Sequence, residues 1–259
     1  MSEKFMENYI SFANDLCEQT GNIIRAALQT NLRFETKDDQ SPVTEIDQKV
    51  EKLVRERISE HFPDHGILGE EYGAQATDQE YVWVIDPIDG TKAFISGFAV
   101  FGTLISLTRK GKPVLGIIDN PVTGERWIGA QGALTKKNGK AISGSLRKDI
   151  LGSLLSNGNP DSLNDKEKEK FTRLKRKVAW CVYGGSCQAY GRLADGALDI
   201  VIDSGLDPFD YCALSPIITG AGGCITDWEG QELTLWSGSR CVASASPELH
   251  EIVLETLAD

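Results

Sequence analysis

The sequence predicts a mixed α/β fold, α+β in its first half and α/β in its second. Three observations predict it. The opening residues carry an apolar stripe at three- and four-residue steps. A series of β-rich runs follows, punctuated by Gly-containing turns. Beyond about residue 145, strand-like and helix-like segments alternate.

The first helix is read from Phe5, Tyr9, Phe12, Leu16, Ile23, Ile24, Ala27 and Leu28. Residues 30–42 are polar, end in Ser41-Pro42 and read as a loop. A second helix starts near Thr44. Val43, Ile46, Val50, Leu53, Val54 and Ile58 form its apolar stripe, with Glu45/Lys49 and Glu51/Arg55 as i,i+4 pairs on its exposed face. Ile67-Leu68 is short and apolar, and Tyr81 to Ile85 is a strand that stops at Asp86-Pro87. A short helix covers Lys92 to Ile95. Phe101 to Leu107, Val114 to Ile118 and Glu125 to Gly129 continue a sheet, with turns at Gly111-Lys112 and Asn138-Gly139. The Gly/Ser-rich stretch Ser143-Gly144-Ser145 marks a boundary between subdomains 1–145 and 146–259. Then come a charged surface helix (Asp165 to Lys177), a strand (Val178 to Tyr183) broken by Gly184-Gly185, and a helix (Ser186 to Asp195). A strand (Leu198 to Ile202) precedes one helix from Asp207-Pro208 to about Thr219. Strands at 224–226 and 241–245 lead to a last helix from Pro247.

Composition narrows the function. The 259 residues hold 27 Lys+Arg against 38 Asp+Glu, a net charge of −11. That acidity lacks the electrostatic footprint for nucleic acid or an anionic membrane surface. Three His (His61, His65, His250) leave little for a His-rich zinc or iron centre or for Ser-His catalysis. A bound metal would fall to carboxylates, which favours hard cations such as magnesium. The six Cys (Cys17, Cys181, Cys187, Cys212, Cys224, Cys241) form no C-x-x-C pair and read as buried, reduced thiols. No apolar run approaches the ~18 residues of a membrane span. Met1 to Met6 is polar, without a signal-peptide core, so the expected compartment is the cytosol.

Four acidic groups stand at element ends: Asp47, Glu70-Glu71, Asp86 with Asp89, and Asp210. The third is the most informative. The strand Val82-Trp83-Val84-Ile85 delivers Asp86, Pro87 ends the ladder, Gly90 permits an unusual turn, and Thr91 opens a short helix. Two carboxylates three residues apart can face one cation, and the helix start can hold a phosphate. Alone, each group has a plainer account. Asp-Pro and Asp-Gly are common turns. Asp47 and Asp210 each suit a helix N3 position after Thr44 and Asp207. Their joint occurrence at the ends of separate elements points to metal-assisted phosphate chemistry.

Four strings carry a resemblance: Val43-Thr44-Glu45-Ile46-Asp47, Gly69-Glu70-Glu71, Trp83-Val84-Ile85-Asp86-Pro87-Ile88-Asp89-Gly90-Thr91, and Phe209-Asp210 followed by Gly220-Ala221-Gly222-Gly223. In these motifs, their order and their spacing, the chain resembles the inositol monophosphatase superfamily of magnesium-dependent, lithium-sensitive phosphomonoesterases. The resemblance implies a five-layered α-β-α-β-α sandwich, a homodimer, and two or three magnesium ions per site. It implies that Glu70, Asp86 and the carbonyl of Ile88 hold one ion, and that Asp86, Asp89 and Asp210 hold a second. Asp47 and Thr91 would orient the attacking water, with Glu70 assisting. The N–H groups of Gly90 and Thr91 would bind phosphate.

The segments Lys92-Ala93-Phe94-Ile95-Ser96-Gly97, Phe101 to Leu107, Gly111 to Asp119 and Glu125-Arg126-Trp127 look like the histidinol-phosphatase branch. So do Ser204-Gly205-Leu206 and Ile225-Thr226-Asp227-Trp228. One departure stands out: Ser186, in Gly184-Gly185-Ser186-Cys187, takes the place of that branch's acid. Asp203 lies seven residues before Asp210 and can supply the missing charge. Asp89, Ser186 and Asp203 are the expected substrate contacts. The expected substrate is a small phosphate ester, L-histidinol phosphate first, with inositol 1-phosphate or a broader set of sugar phosphates as the alternative. A non-catalytic acidic interaction protein on the same scaffold is disfavoured by the intact acids and Thr91.

Overall fold

The opening apolar stripe forms α1 (Glu3–Ala27), with Tyr9, Phe12, Leu16 and Ile24 buried. The chain is described by a computed structural model over residues 3–30, 34–36 and 42–258. The expected loop at 30–42 lies partly outside those residues. Inside them it contributes β1 (Phe34–Thr36), paired antiparallel with β2 (Pro42–Thr44). Thr44 then caps α2 (Glu45–His61) by a capping box with Asp47.

An eight-stranded sheet follows. Its strands are β3 (Gly66–Gly69), β4 (Gly73–Gln75), β5 (Tyr81–Asp89), β6 (Gly102–Arg109), β7 (Lys112–Asn120), β8 (Glu125–Ala130), β9 (Lys136–Lys137) and β10 (Lys140–Ala141), with α3 (Thr91–Ser96) between β5 and β6. Their order is β10-β9-β8-β7-β6-β5-β3-β4, antiparallel throughout except for β3 beside β5. The turn at Asn138-Gly139 forms as expected, both residues having left-handed φ.

The second sheet contains β11 (Leu154–Asn157), then, after α4 (Asp165–Lys177), β12 (Trp180–Tyr183). After α5 (Ser186–Ala194) comes β13 (Ile200–Ser204). After α6 (Pro208–Tyr211) and α7 (Leu214–Gly220) come β14 (Cys224–Thr226), β15 (Arg240–Ser244) and α8 (Pro247–Ala258). The order is β12-β11-β13-β15-β14, parallel among the first three and antiparallel thereafter.

Strand alternation builds five layers. Trp83, Ile85, Ile105 and Leu115 face α1 and α2, where Tyr9, Phe12, Val54 and Ile58 cover them. On the opposite face, Val82, Val84, Leu104, Ile118 and Trp127 meet Tyr190 and Leu193 of α5 and Leu214 and Ile217 of α7. The same cluster takes in Val201, Cys241 and Ala243 from the second sheet, so one core spans both sides of residue 145. Ile200, Ile202 and Val242 turn outward onto Phe171 and Leu174 of α4 and Leu249, Val253 and Leu257 of α8. The result is the expected α-β-α-β-α sandwich. The central strands of both sheets are buried on both faces, with each fully covered large apolar side chain contributing about 1.5–3 kcal/mol.

Several local expectations change. Strand β5 does not stop at Asp86-Pro87. A register shift between Asp86 and Asp89 absorbs the proline, and pairing resumes with Asp89 opposite Gly102. The helix expected from 207 to about 219 is two. Pro216 has no N–H to give the carbonyl of Cys212, and the break falls at Cys212-Ala213. Leu154–Asn157 and Gly73–Gln75, too short to show a period, are strands the pattern passes over. Glu51 and Arg55 are an i,i+4 ion pair at 2.7 Å, but Glu51 is fully buried rather than on the exposed face. All six Cys are free, four of them buried and Cys181 and Cys224 half-buried.

Candidate active site

The irregularity in β5 makes the site. A strand carrying Asp86 into the core would send Asp89 elsewhere in regular register, but the bulge brings both carboxylates to the same end of the sheet. The Thr103 hydroxyl donates to the carbonyl of Pro87 at 2.8 Å, pinning the bulge. Gly90 follows with φ +87°, a left-handed turn that an L side chain resists. Helix α3 begins at once and is held down by Phe94, buried against Phe101 with ring centroids 5.0 Å apart. Asp210 arrives from the second half on α6, its Oδ2 accepting the N–H of Asp207 at 2.7 Å.

Carboxylate oxygens of Asp86, Asp89 and Asp210 all lie within 4.8 Å of one another. Burial, then the charges of Glu70, Asp89 and Asp210, push the Asp86 carboxyl well above its usual range. Burial and Asp89 do the same to Asp210. Burial also raises Asp89, against the N–H of Cys187, which donates to its Oδ2 at 2.5 Å. Oδ1 of Asp86 is buried with no hydrogen-bond partner. An orphaned carboxylate oxygen among other acids is costly unless a cation joins it. An all-oxygen donor set suits a hard divalent ion, so these residues fit magnesium.

The other sequence-derived residues surround this cluster. Glu70 lines the cleft beside it and adds to the charge felt by Asp86 and Asp47. Thr91 donates its hydroxyl to the carbonyl of Ile88 at 3.1 Å, while the Ile88 side chain is buried. Asp47 has two faces. Its Oδ2 caps α2, accepting the N–H of Thr44 at 2.8 Å and its hydroxyl at 2.5 Å, while Oδ1 is buried without a partner. The helix-cap account therefore explains one oxygen and leaves the other available. Burial raises the Asp47 carboxyl.

Above the cluster opens a cleft of about 980 Å³. Glu70, Asp89, Gly90, Thr91, Ser186, Asp203 and Asp210 line it, whereas Asp47, Asp86 and Ile88 are buried and do not. Among the described residues that line it, Lys92 is the only basic one, and Asp161 and Asp203 add further acids. Asp203 is nearly buried. Its Oδ1 accepts from the Gly158 N–H at 2.6 Å and Asn157 Nδ2 at 3.1 Å, and its Oδ2 from the Tyr190 hydroxyl at 2.8 Å. Burial pushes its carboxyl up to about 7 despite those donors. Ser186 opens α5 at φ +45° and lies against Gly90, where a Cβ would fall 2.7 Å from its Oγ.

The Inositol monophosphatase family model matches residues 6–259. The chain belongs to the inositol monophosphatase family. It is 41% identical to the bifunctional phosphatase IMPL2, chloroplastic, of Arabidopsis thaliana, covering 99% of this chain and 77% of that one. It is 32% identical to a histidinol-phosphatase of Chlorobaculum parvum, covering 86% and 87%. The solved inositol monophosphatase of Zymomonas mobilis is 36% identical and superposes with a TM-score of 0.89 over 100% of each chain. This family membership makes the chain a phosphatase of a generally metal-dependent type. Among the described residues no helix is long and apolar enough to cross a membrane.

Sequence reasoning passed over the floor of the cleft. Tyr190 sits on the buried face of α5, where its hydroxyl must find a partner. That requirement was the available signal. Asn157 and Gly158 close the strand β11 that the pattern did not reveal.

Proposed function

We propose that the chain is a magnesium-dependent phosphomonoesterase whose preferred substrate is L-histidinol phosphate. One observation carries the choice of substrate: beside the residues of the acidic cluster, the cleft offers further carboxylates (Asp161, Asp203) and an aromatic side chain (Tyr183), with Lys92 the one basic group among the described residues that line it. A cationic amine and an imidazole suit that lining. A neutral polyol leaves its charge uncompensated.

Glu70, Asp86, Asp89, Asp210 and the Ile88 carbonyl would hold the ions. Bound magnesium supplies Lewis-acid polarisation of the phosphoryl oxygens and a water of lowered pKa. The protein's own part is placement. The N–H groups of Gly90 and Thr91 would receive the phosphate at the start of α3. The Thr91 hydroxyl and Asp47 would orient the attacking water, and Asp203 would face the substrate amine, with Asp89 and Ser186 beside it.

Comparison of kcat/KM for histidinol phosphate and inositol 1-phosphate tests the proposal. A preference for the inositol ester would overturn the substrate and keep the chemistry. Ser186, a hydroxyl where the related branch has an acid, is the feature that favours this second substrate. Absence of magnesium-dependent phosphate release would overturn both.

Trp180 and Val182 are exposed on the edge strand β12, which suits a homodimer, and scattering mass near twice 28.3 kDa would support it. Six free thiols suit a reducing compartment such as the cytosol.

A further inference from the structure

Glu51 stands one helical turn beyond Asp47 on α2, among the buried positions Val50, Val54 and Ile58. It is 0% exposed. A carboxylate in that position needs donors, and the donors it has found are informative. Arg55 Nε donates to it at 2.7 Å. The other two are backbone groups of the turn that carries Glu70: the N–H of Glu71 at 2.7 Å and that of Tyr72 at 3.2 Å. Arg55 extends the grip by donating to the carbonyl of Gly73. A Cβ on Gly69 would fall 2.0 Å from Glu51 Oε1, so the absence of a side chain there is what admits the carboxylate. The hairpin needs none of this to close, since Gly69 already pairs with Gly73. Glu51 adds a buried anchor inside the loop.

We propose that Glu51 is a positioning residue: with Arg55 it holds the 70–72 turn so that Glu70 is presented to the carboxylate cluster, and it thereby sets the affinity for the divalent cation. The proposal rests on the metal assignment of that cluster. One helix then fixes two groups at once, Asp47 at its start and the Glu70 turn at its second turn. Loss of the anchor lets the turn sample other conformations, and each productive binding event must first select the right one. Partners of this kind change metal affinity by roughly 10–100-fold when removed.

The test uses Glu51→Gln, which keeps the shape and one acceptor, and Arg55→Ala, which removes the outer half of the clamp. Lys49→Ala, on the exposed face of the same helix, is the control. Magnesium alone is titrated while the melting temperature is followed, and amide exchange is measured at Glu71 and Tyr72. Both variants should shift the magnesium midpoint upward by roughly tenfold or more and lose protection at those two amides. At saturating magnesium kcat should recover, with KM for the ester nearly unchanged. A structural role alone would lower the metal-free melting temperature and leave the midpoint where it was. Folded variants with wild-type midpoints and intact protection would overturn the proposal while sparing the metal assignment. A wild type whose stability ignores magnesium would overturn both.

Discussion

Tyr190 donates its phenolic hydroxyl to Asp203 at 2.8 Å, tying the buried face of α5 to strand β13 at the floor of the cleft. With Gly158 and Asn157 it makes Asp203 a carboxylate that is fully coordinated yet still lines the cavity. The proposed substrate's cationic amine would face this carboxyl from the cavity side. Asp203→Asn should therefore weaken histidinol-phosphate turnover by about 1–3 kcal/mol in transition-state binding. Glycerol 2-phosphate turnover should stay nearly unchanged, because the acidic cluster and Thr91 are untouched. Equal loss on both esters would make Asp203 a structural residue.

The same carboxyl shapes stability against pH. Burial raises it from 3.8 to about 7 in the folded chain. Its stabilising contribution is complete below about pH 4, where both states hold the proton. Between there and pH 7 the unfolded chain ionises first, so the contribution falls by about 1.4 kcal/mol per pH unit. Asparagine does not titrate. The difference in urea unfolding free energy, wild type minus Asp203→Asn, should shrink steadily across this window. A difference that holds constant would show that the folded carboxyl has already lost its proton.

Asp86→Asn should abolish turnover and leave the fold intact. Removing one charge relieves repulsion from Glu70, Asp89 and Asp210, so the metal-free variant should melt above the metal-free wild type. Magnesium at a hundred times its Kd should stabilise wild type by about 2.7 kcal/mol and the variant little. Residual activity of a tenth or more, or an undiminished magnesium effect, would remove Asp86 from the cluster's function.

Gly90→Ala tests the turn that joins the acids to the helix start proposed to receive the phosphate. The left-handed φ costs an L residue about 1–2 kcal/mol. The new methyl would also sit 2.7 Å from Ser186 Oγ and 3.1 Å from the carbonyl of Val100. A lower melting temperature should accompany a kcat loss larger than the change in KM. A variant with wild-type kinetics would mean that α3 tolerates displacement.

Pattern and motif carried the sequence far. The stripe through Phe12 and Leu16 needs nothing but spacing to be read, and Asp86-Pro87-Ile88-Asp89-Gly90-Thr91 concentrates its chemistry in six consecutive residues. What escaped depends on distance in the chain. Asp203 meets Asn157 and Gly158 only because β11 and β13 are neighbours in the sheet. Glu51 shows the sharper failure. Its i,i+4 partner Arg55 gives it the signature of a solvated pair, and spacing alone cannot reveal that its other partners are the backbone N–H groups of Glu71 and Tyr72, some twenty residues away. Pro87 deceived in the other direction, because a bulge allows a ladder to pass a residue that has no donor.

The bulge in β5 supplies Asp86 and Asp89 from the first sheet, but the third acid and the N–H that Asp89 accepts come from α6 and α5. During synthesis the first two acids emerge long before either completing element exists. The cluster is thus a product of the tertiary fold: no single stretch of the chain holds it, and it exists only where segments from both halves have packed together.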